Sequence, residues 1–367
     1  MNIFKYIVSF LFISPLADAI AQSSLQPLTF PSLVSSGAAP LFYNSFSPSA
    51  DAIVPRSLQP SKSRLIARCG KLPIINKINS QTTSPKGKIN KPLLVATTVH
   101  AGIVTSTLLV LNKYWYAGYP RQRMGSYDDA KEWMQMDKLG HIYSSYLEAR
   151  LSNEVWQAAN VSKRKSVLLG AVAAFIYQGG FELLDGTSAQ YGFSWSDMIA
   201  NTAGISIYAS QQLIWGEQRI QPKLSFSNQR YDNTLQQRVN NLYGTNGAQR
   251  FLKDYNGQTY WYSANLSAFT TNNTKLPKWL NIAVGIGATG MLGGYTNTWK
   301  DAAGNSITRN DIRRQRQYYL APDIDFTKIK TKKRAIKMLL HIANLVKLPT
   351  PGLLLQGGKL QLKAIAY

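Results

Sequence analysis

Residues able to do chemistry fall in three short pieces: Asp137-Lys138-Leu139-Gly140-His141, then Glu182-Leu183-Leu184-Asp185-Gly186, then Ser194-Trp195-Ser196-Asp197 with Asn201 and Gly204. Carboxylates beside an imidazole can hold a metal ion. They can also orient a histidine that takes a proton from water or from a serine hydroxyl. The candidate catalytic group is His141, Glu182 and Asp197, and Asp137, Lys138, Asp185, Ser194 and Asn201 form its supporting polar cluster. The paired Glu-x-x-His signature of di-metal bundles is absent and the group has one histidine, so the spacing names no cofactor. A purely structural reading competes with both chemistries. In it Asp137 and Ser194 cap helices, Gly186 ends one, Lys138 neutralises a carboxylate, and Asn201 bonds across a bundle. Caps alone do not require His141, Glu182 and Asp197 together, and clusters of perturbed ionisable groups favour functional sites.

The elements that must carry these residues are apolar. Leu93 to Leu111 is long enough to cross a membrane, with His100 its one ionisable residue, but its Thr and Ser content suits a buried helix nearly as well. A lone histidine there reads as a satisfied core group. Ser126 and Asp129 form a capping pattern for a short helix carrying Trp133, and Asp137 is placed to cap a helix from about Lys138 to about Ala158. Asp137 and His141, four apart, then lie on neighbouring turns. A third helix follows Ser162 and Lys163-Arg164-Lys165 and runs to Leu184, rich in Gly and Ala that permit close approach. Ser194 caps a fourth, to about Trp215, with Asp197, Asn201 and Gly204 on one stripe.

The expected fold class is mainly α: a bundle of about four apolar helices followed by a smaller α+β C-terminal region. The expected domains are a signal peptide at 1–21, a disordered basic leader at 22–90, the bundle at 91–217 and a basic α+β region at 218–367. In that last region Tyr318-Tyr319-Leu320 and Leu360 to Tyr367 alternate like strands, and Lys328 to Val346 reads as a basic amphipathic helix. The glycine-rich run from Trp279 to Gly290 reads as a close-packed element too short to span a membrane. Too few strand-like segments are legible for an outer-membrane barrel.

Forty-one Lys and Arg against 18 Asp and Glu give a net charge of +23, which calls for a polyanionic partner. The N-terminus selects among partners: Lys5, the apolar run Ile7 to Ile13 and Ala19-Ile20-Ala21 form the three parts of a secretory signal. An exported protein meets anionic envelope lipids, so a membrane surface is the expected partner and nucleic acid is not. Between Arg56 and Lys91 there are nine Lys or Arg and no acid, as in a basic tether. Cys69 is the only cysteine, so no intramolecular disulfide forms, and Arg68 stands where a lipid-attachment motif has a small residue.

Asp137-Lys138-x-x-His141, Glu182-x-x-Asp185-Gly186 and Ser194-x-x-Asp197-x-x-x-Asn201-x-x-Gly204 carry a resemblance. Together they look like the bacterial envelope family that includes the YfiM-type periplasmic lipoproteins, in the long version found in Bacteroidetes. The likeness extends from about Lys91 to Tyr367 and includes Lys253 to Trp261 and Pro277 to Asn281. The Asp-Lys-x-x-His and Asp-x-x-x-Asn-x-x-Gly pieces are also similar to VanZ-like membrane proteins. The chain departs from the lipoprotein pattern in having no lipobox cysteine after its signal peptide. The resemblance implies an envelope location and supplies no catalytic residues. The function expected is that of an exported, membrane-associated envelope protein, structural or binding. The alternative is an envelope hydrolase acting on a lipid- or glycan-linked substrate through the His–carboxylate group.

Overall fold

The computed structural model describes residues 91–114, 120–189, 191–270, 275–301 and 303–367. The signal peptide, the basic leader and Cys69 lie outside the described residues. Four long helices come first: α1 (Lys91–Tyr114), α2 (Met136–Ala158), α3 (Lys163–Gly186) and α4 (Trp195–Ile214). The remainder holds β1 (Ile220–Phe226), α5 (Gln236–Tyr243), α6 (Gly247–Lys253), β2 (Gln258–Asn265), β3 (Leu280–Thr289), β4 (Thr298–Lys300), β5 (Ser306–Thr308), β6 (Gln315–Ile324), α7 (Arg334–Ala343), β7 (Thr350–Gln356) and β8 (Lys359–Ala366).

This overturns the mainly α expectation. Among the described residues the C-terminal half has eight strands, six of them in one antiparallel sheet of order β1-β2-β3-β6-β7-β8 and two in the β4–β5 hairpin. The fold is α+β. Strands β6 and β8 match the expected alternating segments, whereas β1 and β3 carry an unusual pattern. In β1 the polar Gln221, Lys223 and Ser225 are buried, while in β3 the small Ala283, Gly285 and Gly287 alternate with Ile282, Val284 and Ile286. Gly285 is needed where it stands, because a Cβ there would meet the Trp261 ring at 2.7 Å. The far edge of β1 is hydrogen-bonded to the segment leading into β7, through Leu224 N to Leu345 O and Lys347 N to Leu224 O. The sheet is therefore curled, and its inner face encloses Trp261, Ala283, Ala321 and Ala366.

Helix α2 is the hub. It packs on α3 and α4 around Tyr146, Leu147, Ala149, Val167, Ala174, Ile205 and Tyr208. Its first turns lie against the sheet through Met136, Tyr260, Ala288 and Met291. Helix α4 comes closest at Gly204, where a Cβ would sit 2.2 Å from Ile142 O and from Ser145 Oγ, so this crossing admits only glycine. Helix α3 turns an unusual face inward: Ser166, Gly170, Ala174, Gln178, Glu182 and Gly186 recur every four residues and are all buried. Its large apolar residues, among them Leu168, Val172, Phe175, Ile176 and Leu183, are exposed.

Candidate functional site

Three helices and the connection before α2 deliver the polar side chains to one place. The entry to α2 is an unusual turn in which Trp133, Met134 and Gln135 all have left-handed φ, at 46°, 50° and 62°. Such conformations cost non-glycine residues roughly 1–2 kcal/mol each. Packing of Trp133 against Tyr243 and Tyr255 holds the turn in place. The expected short helix is thus a strained 3₁₀ turn, Glu132–Gln135, and Asp129 caps nothing there. Asp137 is also not a cap, since α2 begins one residue earlier and Asp137 lies within its first turn. Ser194 does cap α4, its Oγ accepting from Asp197 N at 3.0 Å. Gly186 is the last residue of α3 rather than a left-handed terminator.

At the centre Lys138 Nζ lies 2.7 Å from Asp129 Oδ1, 2.9 Å from Asp137 Oδ2 and 2.7 Å from Asp197 Oδ1. Ser194 Oγ and Ser196 Oγ donate to Asp129 Oδ1 at 2.6 and 2.5 Å. Burial opposes the Asp129 charge, but Lys138, Ser194 and Ser196 outweigh it and bring the carboxyl down to about 2. Burial likewise opposes the Lys138 charge, and Asp137, Asp129 and Asp197 hold the ammonium above its ordinary value. For Asp137 burial wins over Lys138, and its carboxyl is raised.

His141 Nε2 lies 3.3 Å from Asp197 Oδ1, and His141 Nδ1 lies 3.1 Å from Asn201 Oδ1. Glu182, 1% exposed, accepts the Ser194 amide at Oε2 over 3.3 Å, and its Oε1 has no partner among the described residues. Burial, then repulsion from Asp197 and Asp185, pushes Glu182 up to about 8. Two groups of possible metal donors result, His141–Glu182–Asp197 and Asp129–Asp137–Asp197, each with donor atoms within 4.8 Å of one another.

The structure therefore brings together His141, Glu182 and Asp197, with Asp137, Lys138, Ser194 and Asn201 around them. Asp185 acts on this centre through its repulsion of Glu182. Sequence reasoning left out Asp129 and Ser196. The Ser126-x-x-Asp129 spacing suggests a cap, whereas the signal for the role of Asp129 is simply another acid near Lys138. His100 is satisfied, bonding Ala96 O and Ser152 Oγ and stacking on Trp156.

Glu148, also on α2, has no motif to mark it in the sequence. Among the described residues its carboxylate accepts only from Gln178 Nε2, at 2.8 and 2.9 Å, and burial outweighs that bond and raises it to about 8. From its ordinary 4.5 up to about 8, the unfolded chain releases this proton and the folded chain keeps it, so stability falls as pH rises through that window. The penalty at the upper end is on the order of a few kcal/mol. Glu148→Gln is expected to flatten this part of the profile. Thermal melts of both proteins at about pH 5 and about pH 8 check it, and parallel profiles would refute it.

Fold and site together define an α+β protein with a buried, charged centre held by three helices. Residues 124–211 match a family described as predicted periplasmic lipoprotein (DUF2279), a stretch that contains every residue of that centre but neither α1 nor the sheet. No curated protein and no solved structure matches the chain. The chain is exported to the cell envelope, in agreement with the periplasmic character of the matched family.

Proposed function

We propose that the chain is a structural or binding protein of the envelope that sits with its apolar faces on a lipid surface and holds its charged centre beneath them. The observation that carries this reading is the inverted polarity of both layers. On the sheet, Val284, Leu320, Leu353 and Leu362 stand in one cross-strand row, and Ile286, Tyr318, Leu355 and Leu360 in the next. All but Ile286 are large apolar side chains exposed on the outer face, Leu362 to 80%. The inner face buries Lys223, Ser263, Asn281 and Asp323 instead. Water-soluble sheets and helices put apolar groups inside and polar groups out, whereas lipid-facing ones reverse this. The outward stripe of α3 repeats the reversal, and Lys163-Arg164-Lys165 at its start would meet anionic headgroups. Contact with a bilayer interface suffices, and no element needs to cross it. The finer likeness to YfiM-type lipoproteins and VanZ-like proteins rests on the motif residues alone.

Vesicle flotation tests the reading. The purified chain should float with phosphatidylglycerol-containing vesicles, less so in high salt, and Leu353→Glu with Leu362→Glu should cut the bound fraction about tenfold without changing the melt. Failure of the wild type to float, or self-association through this face that excludes vesicles, would overturn it.

A further inference from the structure

The two donor groups of the polar centre differ in one respect. Asp129, Asp137 and Asp197 already surround a cation, because Lys138 Nζ lies within 2.9 Å of an oxygen of each. His141, Glu182 and Asp197 surround none, and the most buried of the three, Glu182, has an oxygen without a partner among the described residues.

The histidine geometry points the same way. With Asn201 Oδ1 accepting, a hydrogen sits on His141 Nδ1, and in the neutral ring the Nε2 lone pair faces Asp197 Oδ1 at 3.3 Å. A lone pair facing a carboxylate oxygen is repulsive unless a positive charge lies between them. Ligands 2.0–2.2 Å from a tetrahedral zinc ion are about 3.4 Å from one another. The charge arrangement also leaves room for a cation: Lys138 Nζ is shared by Asp129, Asp137 and Asp197, and no cation is paired with Glu182 among the described residues.

We propose that His141 Nε2 and one carboxylate oxygen each from Glu182 and Asp197 bind a single divalent cation of the zinc class. One imidazole nitrogen and two carboxylate oxygens suit a borderline first-row ion, and they are too few for calcium, which takes 6–8 oxygens. Asn201 fixes the imidazole tautomer from behind, and Lys138 holds Asp197, as outer-shell partners do in metal sites. Three protein ligands leave a fourth position for water or for an oxygen of a bound molecule, the arrangement of reactive rather than structural zinc.

Two metal-free arrangements compete: an imidazolium donating from Nδ1 to Asn201 and from Nε2 to Asp197, and a neutral ring with a reversed Asn201 amide donating to Nδ1 while Nε2–H donates to Asp197. Metal binding separates the proposed site from both. The full purified chain, stripped with chelator and shown folded by circular dichroism, is titrated with ZnCl₂ by calorimetry and with CoCl₂ by visible absorption. The expected result is one Zn²⁺ per chain and the intense bands of four-coordinate Co²⁺. Affinity should fall more than about tenfold in Glu182→Gln and in His141→Gln and stay unchanged in Thr202→Ala, an exposed position on α4. Absence of stoichiometric Zn²⁺ and Co²⁺ uptake by the folded wild type overturns the proposal, as does uptake that both folded variants retain. Should either variant fail to fold, the cobalt spectrum of the wild type alone is decisive: four-coordinate bands support the site, and their absence refutes it.

Discussion

Lys138→Met is expected to destabilise the protein by about 3–5 kcal/mol, because it strands buried carboxylates without their cation. Lys138 is the only basic side chain paired with Asp129 and Asp137 among the described residues, and it shares Asp197 only with His141. The effect should depend on pH in a defined direction. In the wild type Asp129 is held down at about 2, so its contribution is complete above its ordinary 3.8 and is lost as pH falls towards 2. In the variant the same carboxyls are raised by burial, so acidification from neutral pH protonates them and restores stability. The gap between the two proteins should therefore close as pH falls from about 7 to about 4. Adding Asp129→Asn to Lys138→Met should recover part of the loss at neutral pH. Denaturant melts of the three proteins measure this, and a gap that does not change with pH would show that the loss came from packing rather than from charge.

The candidate site was more legible than the fold. Fixed spacings put Asp137 with His141 on one face of α2 and Asp197 with Asn201 on one face of α4, Glu182 lies on the inward stripe of α3, and the packing of the three helices brings these faces together. The errors concerned roles that depend on a single backbone angle. The spacing makes Asp137 a cap for α2, but a left-handed turn at Trp133 to Gln135 starts the helix earlier and frees Asp137 for Lys138. Asp129 is distant in sequence from Asp197, and only the tertiary path brings both to the same ammonium.

The sheet was hidden for a physical reason. Strand recognition looks for alternation with the apolar side turned to the core. From Ile282 to Ala288 both faces of β3 are apolar, and only side-chain size alternates, Ile282, Val284 and Ile286 outward and Ala283, Gly285 and Gly287 inward. In β1 the pattern Ile-Gln-Pro-Lys-Leu-Ser-Phe alternates cleanly, but the buried side is the polar one. Strands β6 and β8 were visible because Tyr318-Tyr319-Leu320 and the C-terminal run alternate in sequence, although there too Tyr318, Leu320, Leu360 and Leu362 face outward. The helices were found by length and apolarity, which survive inversion. The inversion, which burial alone reveals, supports the lipid-facing reading.

The second large effect lies inside that sheet. Lys223 and Asp323, 0% and 2% exposed, pair at 2.7 Å, with Lys223 Nζ also donating to Ile324 O and Ser263 Oγ donating to Asp323. Lys223→Met alone leaves a buried aspartate, for an expected loss of about 3–5 kcal/mol. Lys223→Met with Asp323→Leu removes both charges, and its loss should be much smaller, since apolar pairs of similar volume often replace buried ion pairs without penalty. Lys347 complicates the single variant. It is buried over the Trp261 ring at 4.5 Å, burial pushes it down to about 8, and Asp323 partly opposes that shift. With Lys223 gone, Lys347, which already interacts with Asp323, is a replacement cation, and its own charged form gains. Lys223→Met should therefore cost less than it would without this substitute, and Lys223→Met with Lys347→Met should cost more than the sum of the two single changes. Melts of this double-mutant cycle measure the coupling. Simple additivity would mean that the inner face tolerates an isolated aspartate and that its charges are not balanced as a set.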